Sequence, residues 1–234
     1  MKEWNESNFN LECCNYVIEA YKARKWAFVS DYARFWILYH EGGLYFDTDV
    51  EIIKDMTDII SEGAFMGCEA SYKCAPGLGL GTEPGLALYK IILDSYQASH
   101  FTNMDGSTNY VTVVERVTDI LKTYGFMEKD CIQKVAELTV YPKKYFCPID
   151  YETGKLFITE NTRSIHWYDA SWLDKHMKKR RKRNEKIRNL FPGKMGIQLS
   201  RMYMTSSYYW EWISKGQFTT IKRKVSEKLK GNKA

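Results

Sequence analysis

Three carboxylates occupy alternate positions in the stretch GGLYFDTDVE, residues 42–51. They are Asp47, Asp49 and Glu51, and an apolar run precedes them. Carboxylates this close repel one another unless a positive charge lies among them. Residues two apart in a strand point to the same face, so Asp47 and Asp49 can bind one ion if the strand persists through Thr48. Oxygen ligands favour Mg²⁺ or Mn²⁺, which fill their remaining positions with water and substrate phosphates.

The same acidic stretch has three other interpretations. A solvated acidic turn is the default for an isolated pair of aspartates, but the glycine pair and apolar strand before it argue against that. An EF-hand loop beginning at Asp47 needs glycine at its sixth position and glutamate at its twelfth, where the sequence has Ile52 and Asp58. A haloacid-dehalogenase-type phosphatase places DxDx[TV] after an apolar strand, but the fifth position here is Glu51, so it stays the runner-up.

The segment before the carboxylates has a helical pattern and carries a charged pair. Apolar residues recur at helical spacing over residues 26–40, and the glycines at 42–43 are typical of a helix end. Asp31 and Arg34 share one face of this predicted helix, where they can pair as an ordinary surface ion pair or bind a ligand. The apolar surroundings of Arg34 favour a diphosphate, because the planar guanidinium binds phosphate oxygens in pairs.

Predicted strands and helices alternate along most of the chain. The predicted helices cover residues 15–21, 26–40, about 84–95 and 112–124, and the predicted strands cover 44–46, 50–53, 64–68, 138–141 and 164–167. We interpret 50–53 as a continuation of 44–46 after an acidic kink. The glycine-rich stretch 76–81 lacks the GK[ST] of a phosphate loop and indicates close backbone approach to a donor or acceptor. Together these elements predict an α/β layer fold.

Composition is that of an ordinary globular protein. The chain has 234 residues, of which 44% are hydrophobic and 27% charged. No apolar run approaches the ~20 residues that span a bilayer, and the first residues lack a signal-peptide core, so we expect a cytoplasmic location. The six cysteines show neither a CxxC pair nor regular spacing, which argues against a zinc knuckle and a disulfide framework.

Charge divides the chain into two parts. Residues 1–172 carry 16 Lys and Arg against 25 Asp and Glu, whereas residues 173–234 carry 18 against 4. No recognition motif accompanies the basic run, so no nucleic-acid partner is expected. A solvated helix is one interpretation of this run. We favour binding of residues 175–191 to anionic lipid at the inner face of the plasma membrane, because apolar residues and an aromatic stretch lie close by.

Residues 26–51, WAFVSDYARFWILYHEGGLYFDTDVE, resemble the signature A-x2-SD-x2-R-x2-hL-x3-GG-hYhDhD, where h is apolar, of the glycosyltransferases with a DXD sugar-binding region. That family includes yeast initiating α-1,6-mannosyltransferases, bacterial capsular-polysaccharide transferases and, more distantly, the glucosylating domains of large clostridial toxins. The similarity extends more loosely to residues 78–81, 141–148 and 164–173, which resemble the bacterial members in particular.

The resemblance implies a GT-A-like, Rossmann-type mixed sheet flanked by helices in residues 1–173, followed by a basic, partly helical extension in 174–234. It also implies transfer of a hexose, usually with retention, from a UDP- or GDP-sugar to a glycan or lipid-linked glycan of a bacterial surface polysaccharide. Family members have a strand of the pattern IPKIIHxxW some tens of residues before the Trp4-Asn5 seen here. We therefore expect this usual first strand to be missing, and a truncated remnant that binds glycan or membrane is an alternative.

Roles for four residues follow from the family motif. Asp31 and Arg34 would contact hydroxyls of the donor sugar, and Asp47 would contact the ribose and the sugar. Asp49 would bind the Mn²⁺ or Mg²⁺ ion that bridges the diphosphate. Metal and Arg34 together would stabilise the charge that forms on the departing nucleoside diphosphate.

Three later residues complete the predicted site. His166 would supply a further metal ligand, with a structural histidine as an equal alternative. Ser171 and Trp172 resemble the segment that closes over the diphosphate in the family, although Trp172 could equally be a core residue.

Overall fold

A computed structural model of the chain describes residues 2–69, 71–150, 155–168, 175–191, 193–214 and 216. The chain divides into two compact units, Met1–Asp169 and Ala170–Ala234. This division lies close to residue 173, where the balance of charge reverses. Each unit is described by itself below.

The first unit contains helices and strands in alternation. Its helices are α1 (Asn15–Lys22), α2 (Trp26–Glu41), α3 (Thr57–Ser61), α4 (Ala87–Gln97) and α5 (Val113–Thr123), with a 3₁₀ helix at Pro76–Leu78. Its strands are β1 (Gly43–Tyr45), β2 (Val50–Ile52), β3 (Phe65–Gly67), β4 (Leu80–Thr82), β5 (Gln133–Val135), β6 (Leu138–Tyr141) and β7 (Ser164–His166). The second unit contains α6 (Lys175–Leu190) and α7 (Lys194–Ser214).

Strands of the first unit form two sheets. The larger has the order β1-β4-β3-β6-β5, in which β3 and β6 are parallel and the other neighbours are antiparallel. The smaller pairs β2 with β7 in antiparallel register. This mixed sheet with flanking helices confirms the predicted fold class and is consistent with a GT-A-like fold.

The acidic stretch connects the two sheets, and the prediction that residues 50–53 continue the strand 44–46 after a kink is wrong. β1 ends at Tyr45 in the larger sheet, whereas β2 begins at Val50 and pairs with β7. Between them a turn is closed by the Val50 N–H, which donates to the Asp47 carbonyl at 3.0 Å. The strand therefore does not persist through Thr48, because the chain must leave one sheet and enter the other at this point.

Helix α2 lies at the centre of the packing. It contacts α1, α4, β1 and β4. Phe35 on α2 is fully buried, and its ring meets the ring of Tyr89 on α4 edge-to-face, with the centroids 5.0 Å apart. Full burial of a side chain of this size contributes about 1.5–3 kcal/mol. Because α2 is packed on several sides, the side chains that it carries have fixed positions relative to β1.

Two further expectations concern cysteines and membrane spans. All six cysteines are free thiols, and the sulfur atoms of Cys68 and Cys74 lie 4.0 Å apart. Among the described residues, no helix combines the length and the apolar character that a transmembrane span requires.

Candidate functional site

The predicted charged pair on α2 is buried. Arg34 Nη2 donates to Asp31 Oδ1 at 2.8 Å and to Ser30 Oγ at 3.2 Å, and Arg34 Nε donates to the Ser30 carbonyl at 3.3 Å. The side chains of Arg34 and Asp31 are 6% and 13% exposed. The i, i+3 spacing brings the two together, and the packing of α2 removes them from water. They do not form the ordinary surface ion pair that the sequence left open.

Arg34 also links α2 to the acidic turn. Its Nη1 lies 3.3 Å from Asp47 Oδ1, and the same oxygen accepts a hydrogen bond of 2.8 Å from the Tyr45 hydroxyl. The guanidinium stacks over the Tyr45 ring, 4.7 Å from its centroid. Each guanidinium nitrogen thus lies near an oxygen acceptor of the protein. In this arrangement Arg34 holds Asp47 in position, and its predicted contact with a donor stays a prediction.

Asp47 is held from its other side by the glycine-rich stretch. Its N–H donates to the Gly77 carbonyl at 2.9 Å. A Cβ atom built on Gly77 would lie 2.0 Å from Asp47 Oδ2, closer than any real contact. The sequence indicates a close backbone approach here to a donor or acceptor. The group that approaches Gly77 in the structure is a carboxylate of the chain itself.

The smaller sheet brings Asp49 to His166. Val50 and His166 are paired residues of β2 and β7, and the Trp167 N–H donates to the Asp49 carbonyl at 2.9 Å. His166 Nε2 lies 3.2 Å from Asp49 Oδ1. One ligand atom each from Asp47, Asp49 and His166 lies within 4.8 Å of the others. The structure therefore brings together the three residues that the sequence predicted as metal ligands.

His166 is packed against an aromatic residue that the sequence did not single out. The Tyr168 ring meets the His166 ring edge-on with the centroids 4.1 Å apart, and the Tyr168 hydroxyl lies 2.8 Å from Cys147 Sγ. Tyr168 has a φ of 55°, in the left-handed region. This conformation costs about 1–2 kcal/mol for a residue with a side chain. Strain of this kind is often found where a side chain must be aimed at a functional group.

Comparison with known families gives one match. Residues 2–66 match the family model described as glycosyltransferase sugar-binding region containing DXD motif. Residues 2–66 are therefore similar to a glycosyltransferase sugar-binding region. The matched range contains the Asp31–Arg34 pair and the turn with Asp47 and Asp49, and it supports a general glycosyltransferase function. No curated protein and no solved structure gives a significant match to the chain.

Burial alters the pKa values of charged groups within the matched residues 2–66. Burial raises the pKa of Asp31 to about 6, although the neighbouring Arg34 acts against this rise. Burial alone would lower the pKa of Arg34, but Asp31, Tyr45 and Asp47 outweigh it and keep that pKa above its ordinary value. At neutral pH the guanidinium is therefore a fixed cation. It faces two carboxylates, Asp31 and Asp47, and Asp49 adds a third, so negative charge is in excess at the acidic turn.

The excess charge and the donor set fit a divalent cation. The side chains of Asp47, Asp49 and His166 are 33%, 18% and 12% exposed, so the cluster is more open than the Asp31–Arg34 pair. His166 Nδ1 is buried and has no hydrogen-bond partner among the residues that the structure describes. Carboxylates suit Mg²⁺ and Mn²⁺, and an imidazole nitrogen favours a transition metal, so this set fits Mn²⁺ better than Mg²⁺.

Other features lie away from this cluster or beyond the described residues. Ser171 and Trp172 fall outside the described residues. A shallow depression of about 300 Å³ is lined by residues other than the predicted ones, namely Ala64, Thr82, Glu83, Pro84, Gly85, Leu86 and Glu137. It shares no lining residue with the metal-ligand cluster and is not the site that the donor set indicates.

Sequence reasoning missed three residues that position the site. The sequence analysis assigns Tyr45 only to an apolar strand and Tyr168 only to a resemblance, and it predicts a donor or acceptor, not Asp47, beside Gly77. For Gly77 the signal was present in the run of glycines beside a strand. Tyr45 and Tyr168 each lie two residues from the side chain that they contact, Asp47 and His166, so the i, i+2 spacing of extended backbone was the available signal for both.

Proposed function

We propose that the chain is a metal-dependent glycosyltransferase that moves a hexose from a UDP- or GDP-sugar to a glycan acceptor. The observation that carries this proposal is the convergence of Asp47, Asp49 and His166 to within 4.8 Å. Asp47 and Asp49 lie inside the matched sugar-binding region, and His166 comes from outside it. Resemblance to the bacterial members supports a surface polysaccharide, free or lipid-linked, as the acceptor and retention as the stereochemical course.

The residues of the chain have distinct roles in this proposal. Asp47, Asp49 and His166 hold Mn²⁺ or Mg²⁺, and such an ion neutralises negative charge on a leaving diphosphate. Asp31 contacts the donor sugar, and Arg34 fixes the orientation of the Asp31 carboxylate. Arg34 also neutralises part of the charge of Asp47, so that two carboxylates can stay close together before a donor arrives.

A segment beyond the described residues would complete the donor site. By the family resemblance, Ser171 and Trp172 close over the diphosphate. Such a closing segment excludes water and limits hydrolysis of the donor.

A donor-hydrolysis screen tests the proposal. UDP- and GDP-sugars are incubated with the full chain with and without Mn²⁺, and release of the nucleoside diphosphate is measured. We expect release that depends on Mn²⁺ and falls at least about 100-fold in Asp49→Asn, because the variant loses a ligand for the charge-neutralising ion. Asp130→Asn, at an exposed position, is the matched control and should retain full activity. Release that is indifferent to Asp49→Asn would overturn the mechanism.

Two alternatives predict different results in the same assays. A phosphatase of the dehalogenase type would use Asp47 as its nucleophile, and a phosphoaspartate trapped at that position would favour it. A remnant without catalytic activity would bind glycan or membrane but release no nucleotide.

The second unit extends the proposal to a membrane surface. Helix α6 carries nine Lys and Arg residues and one Glu. We propose that residues 175–191 bring the enzyme to an anionic surface at the inner face of the plasma membrane, where a lipid-linked acceptor would be found.

A further inference from the structure

Helices α6 and α7 form an antiparallel pair held by polar contacts on their facing sides. Ser200 Oγ donates to Asn184 Oδ1 at 2.8 Å, and Arg180 pairs with Glu211 farther along the two helices. The Arg180 guanidinium also stacks over the Tyr208 ring, 4.4 Å from its centroid. Arg180 and Glu211 therefore lie between the two helices. Side chains at other positions of α6 and α7 form the surfaces that face away from the partner helix.

The outer surface of α6 carries a basic stripe, which we define as Lys179, Lys182, Arg183 and Lys186. All four side chains are exposed. Their i, i+3, i+4, i+7 spacing places them on one face of the helix. This stripe presents four positive charges side by side to any surface that approaches it.

The outer surface of α7 carries an apolar stripe, which we define as Met195, Met202, Trp210 and Ile213. All four are exposed, and Trp210 is 73% exposed. Their spacing of i, i+7, i+15 and i+18 keeps them along one side of a helix that has about 3.6 residues per turn. Helices of soluble proteins normally bury such a side, and an exposed apolar row marks a site of interaction.

We propose that the α6–α7 pair lies in the interface of an anionic bilayer. The apolar stripe enters the boundary between headgroups and acyl chains, and the basic stripe binds anionic headgroups. An amphipathic element with Lys and Arg beside Trp and aliphatic side chains binds membranes in this way. This inference specifies the membrane surface of the proposed function and does not depend on the transferase chemistry of the first unit.

Lipid fits these two stripes better than nucleic acid does. A nucleic-acid strand would bind the positive charges and could stack on Trp210. It would make no favourable contact with the rest of the apolar stripe, which contains two methionines and Ile213. A bilayer uses both stripes, since indole rings prefer the membrane–water boundary and long basic side chains reach headgroups around an embedded helix.

Vesicle sedimentation of the full chain tests the proposal with two variants. The vesicles contain phosphatidylcholine with or without phosphatidylglycerol. We expect the wild type to bind only the anionic vesicles and to stay partly bound at high salt. A triple change, Lys179→Gln with Lys182→Gln and Lys186→Gln, should weaken binding at least about tenfold at low salt. A double change, Met202→Gln with Ile213→Gln, should remove the part of the binding that resists salt.

The matched control for the basic stripe changes three exposed lysines of the first unit, Lys22, Lys25 and Lys129, to glutamine. It should bind vesicles like the wild type. An equal loss in this control would mean that net charge alone drives binding and would overturn the role of the stripe.

Quenching by brominated lipid gives a readout that needs no destabilising variant. Bromine-labelled acyl chains should quench tryptophan fluorescence of the wild type, and the quenching should fall in Trp210→Phe but persist in Trp26→Phe, a change at an exposed tryptophan of the first unit. Absence of quenching, equal binding to neutral vesicles, or binding of single-stranded RNA in place of vesicles would overturn the proposal. Donor hydrolysis in solution should be unchanged in every variant, so failure here is separable from failure of the transferase proposal.

Discussion

The two halves of the candidate site in the matched residues 2–66 differ in how their charges are compensated. Asp31 and Arg34 lie on one buried helix face and neutralise each other. Asp47 and Asp49 lie on an open turn, where the same guanidinium offers the only compensation that Asp47 receives from a described ion pair. The charges of the helix-borne half are therefore balanced within the chain, whereas the turn-borne half keeps an excess of negative charge that the proposed cation would balance.

The two halves also differ in the elements that support them. The α2 half is fixed by packing against α1 and α4, and its side chains have little freedom. The turn half connects the two sheets and is held by contacts from Arg34, Tyr45, Gly77 and Trp167. Sites that bind ligands commonly combine a rigid support with side chains on a short connection, because only the latter can adjust to a ligand.

Removal of Arg34 should produce the largest difference between the halves. Arg34→Met leaves Asp31 buried without its cation and should lower the free energy of unfolding by about 3–5 kcal/mol. Urea denaturation at neutral pH measures this. Lys90→Met removes an exposed helix ion pair with Asp94 and should cost less than about 0.5 kcal/mol. If Arg34→Met and Lys90→Met lowered the free energy of unfolding by similar amounts, the buried Asp31–Arg34 pair would contribute no more to stability than an exposed ion pair.

The next largest effect is a pH dependence confined to the buried half. Burial raises the pKa of Asp31 to about 6, so the folded chain holds a proton there that the unfolded chain releases near pH 4. Ionisation of Asp31 thus lowers stability as pH rises through this window. The unfolding free energy of Asp31→Asn minus that of the wild type should increase by about 1–3 kcal/mol from pH 4 to pH 7. A constant difference across the range would contradict the burial argument.

A smaller effect should follow from crowding the turn half. Gly77→Ala places a methyl group where the Asp47 carboxylate now lies and should rotate that carboxylate away. We expect Mn²⁺ affinity to fall about tenfold. The unfolding free energy should change by no more than ~1 kcal/mol, because the group that must move is the partly exposed side chain of Asp47. A double-mutant cycle with Asp47→Asn isolates the contact. If Gly77→Ala weakens Mn²⁺ binding equally with and without Asp47, the crowding acts elsewhere.

Much of the site could be predicted from local spacing. Asp31 and Arg34 share one face of α2, as their i, i+3 spacing predicts, and Asp47 and Asp49 converge on one possible metal site, as their alternate positions predict. The change of sheet between Tyr45 and Val50 could not be predicted, because an apolar-acidic-apolar stretch has the same pattern whether its two strands share a sheet or not. The sequence analysis predicts no strand at β4 or β5, because β4 lies in the glycine-rich stretch and contains Gly81, and β5 has two polar residues, Gln133 and Lys134, among its three.

Calorimetric titration of Mn²⁺ together with UDP or GDP tests the central claim most directly. We expect one of the two nucleotides to give binding heat with the wild type only when Mn²⁺ is present. Asp49→Asn should give no binding heat and should unfold at the same urea concentration as the wild type. Nucleotide binding that is indifferent to Mn²⁺, or that survives Asp49→Asn unchanged, would contradict a cation held at the acidic turn.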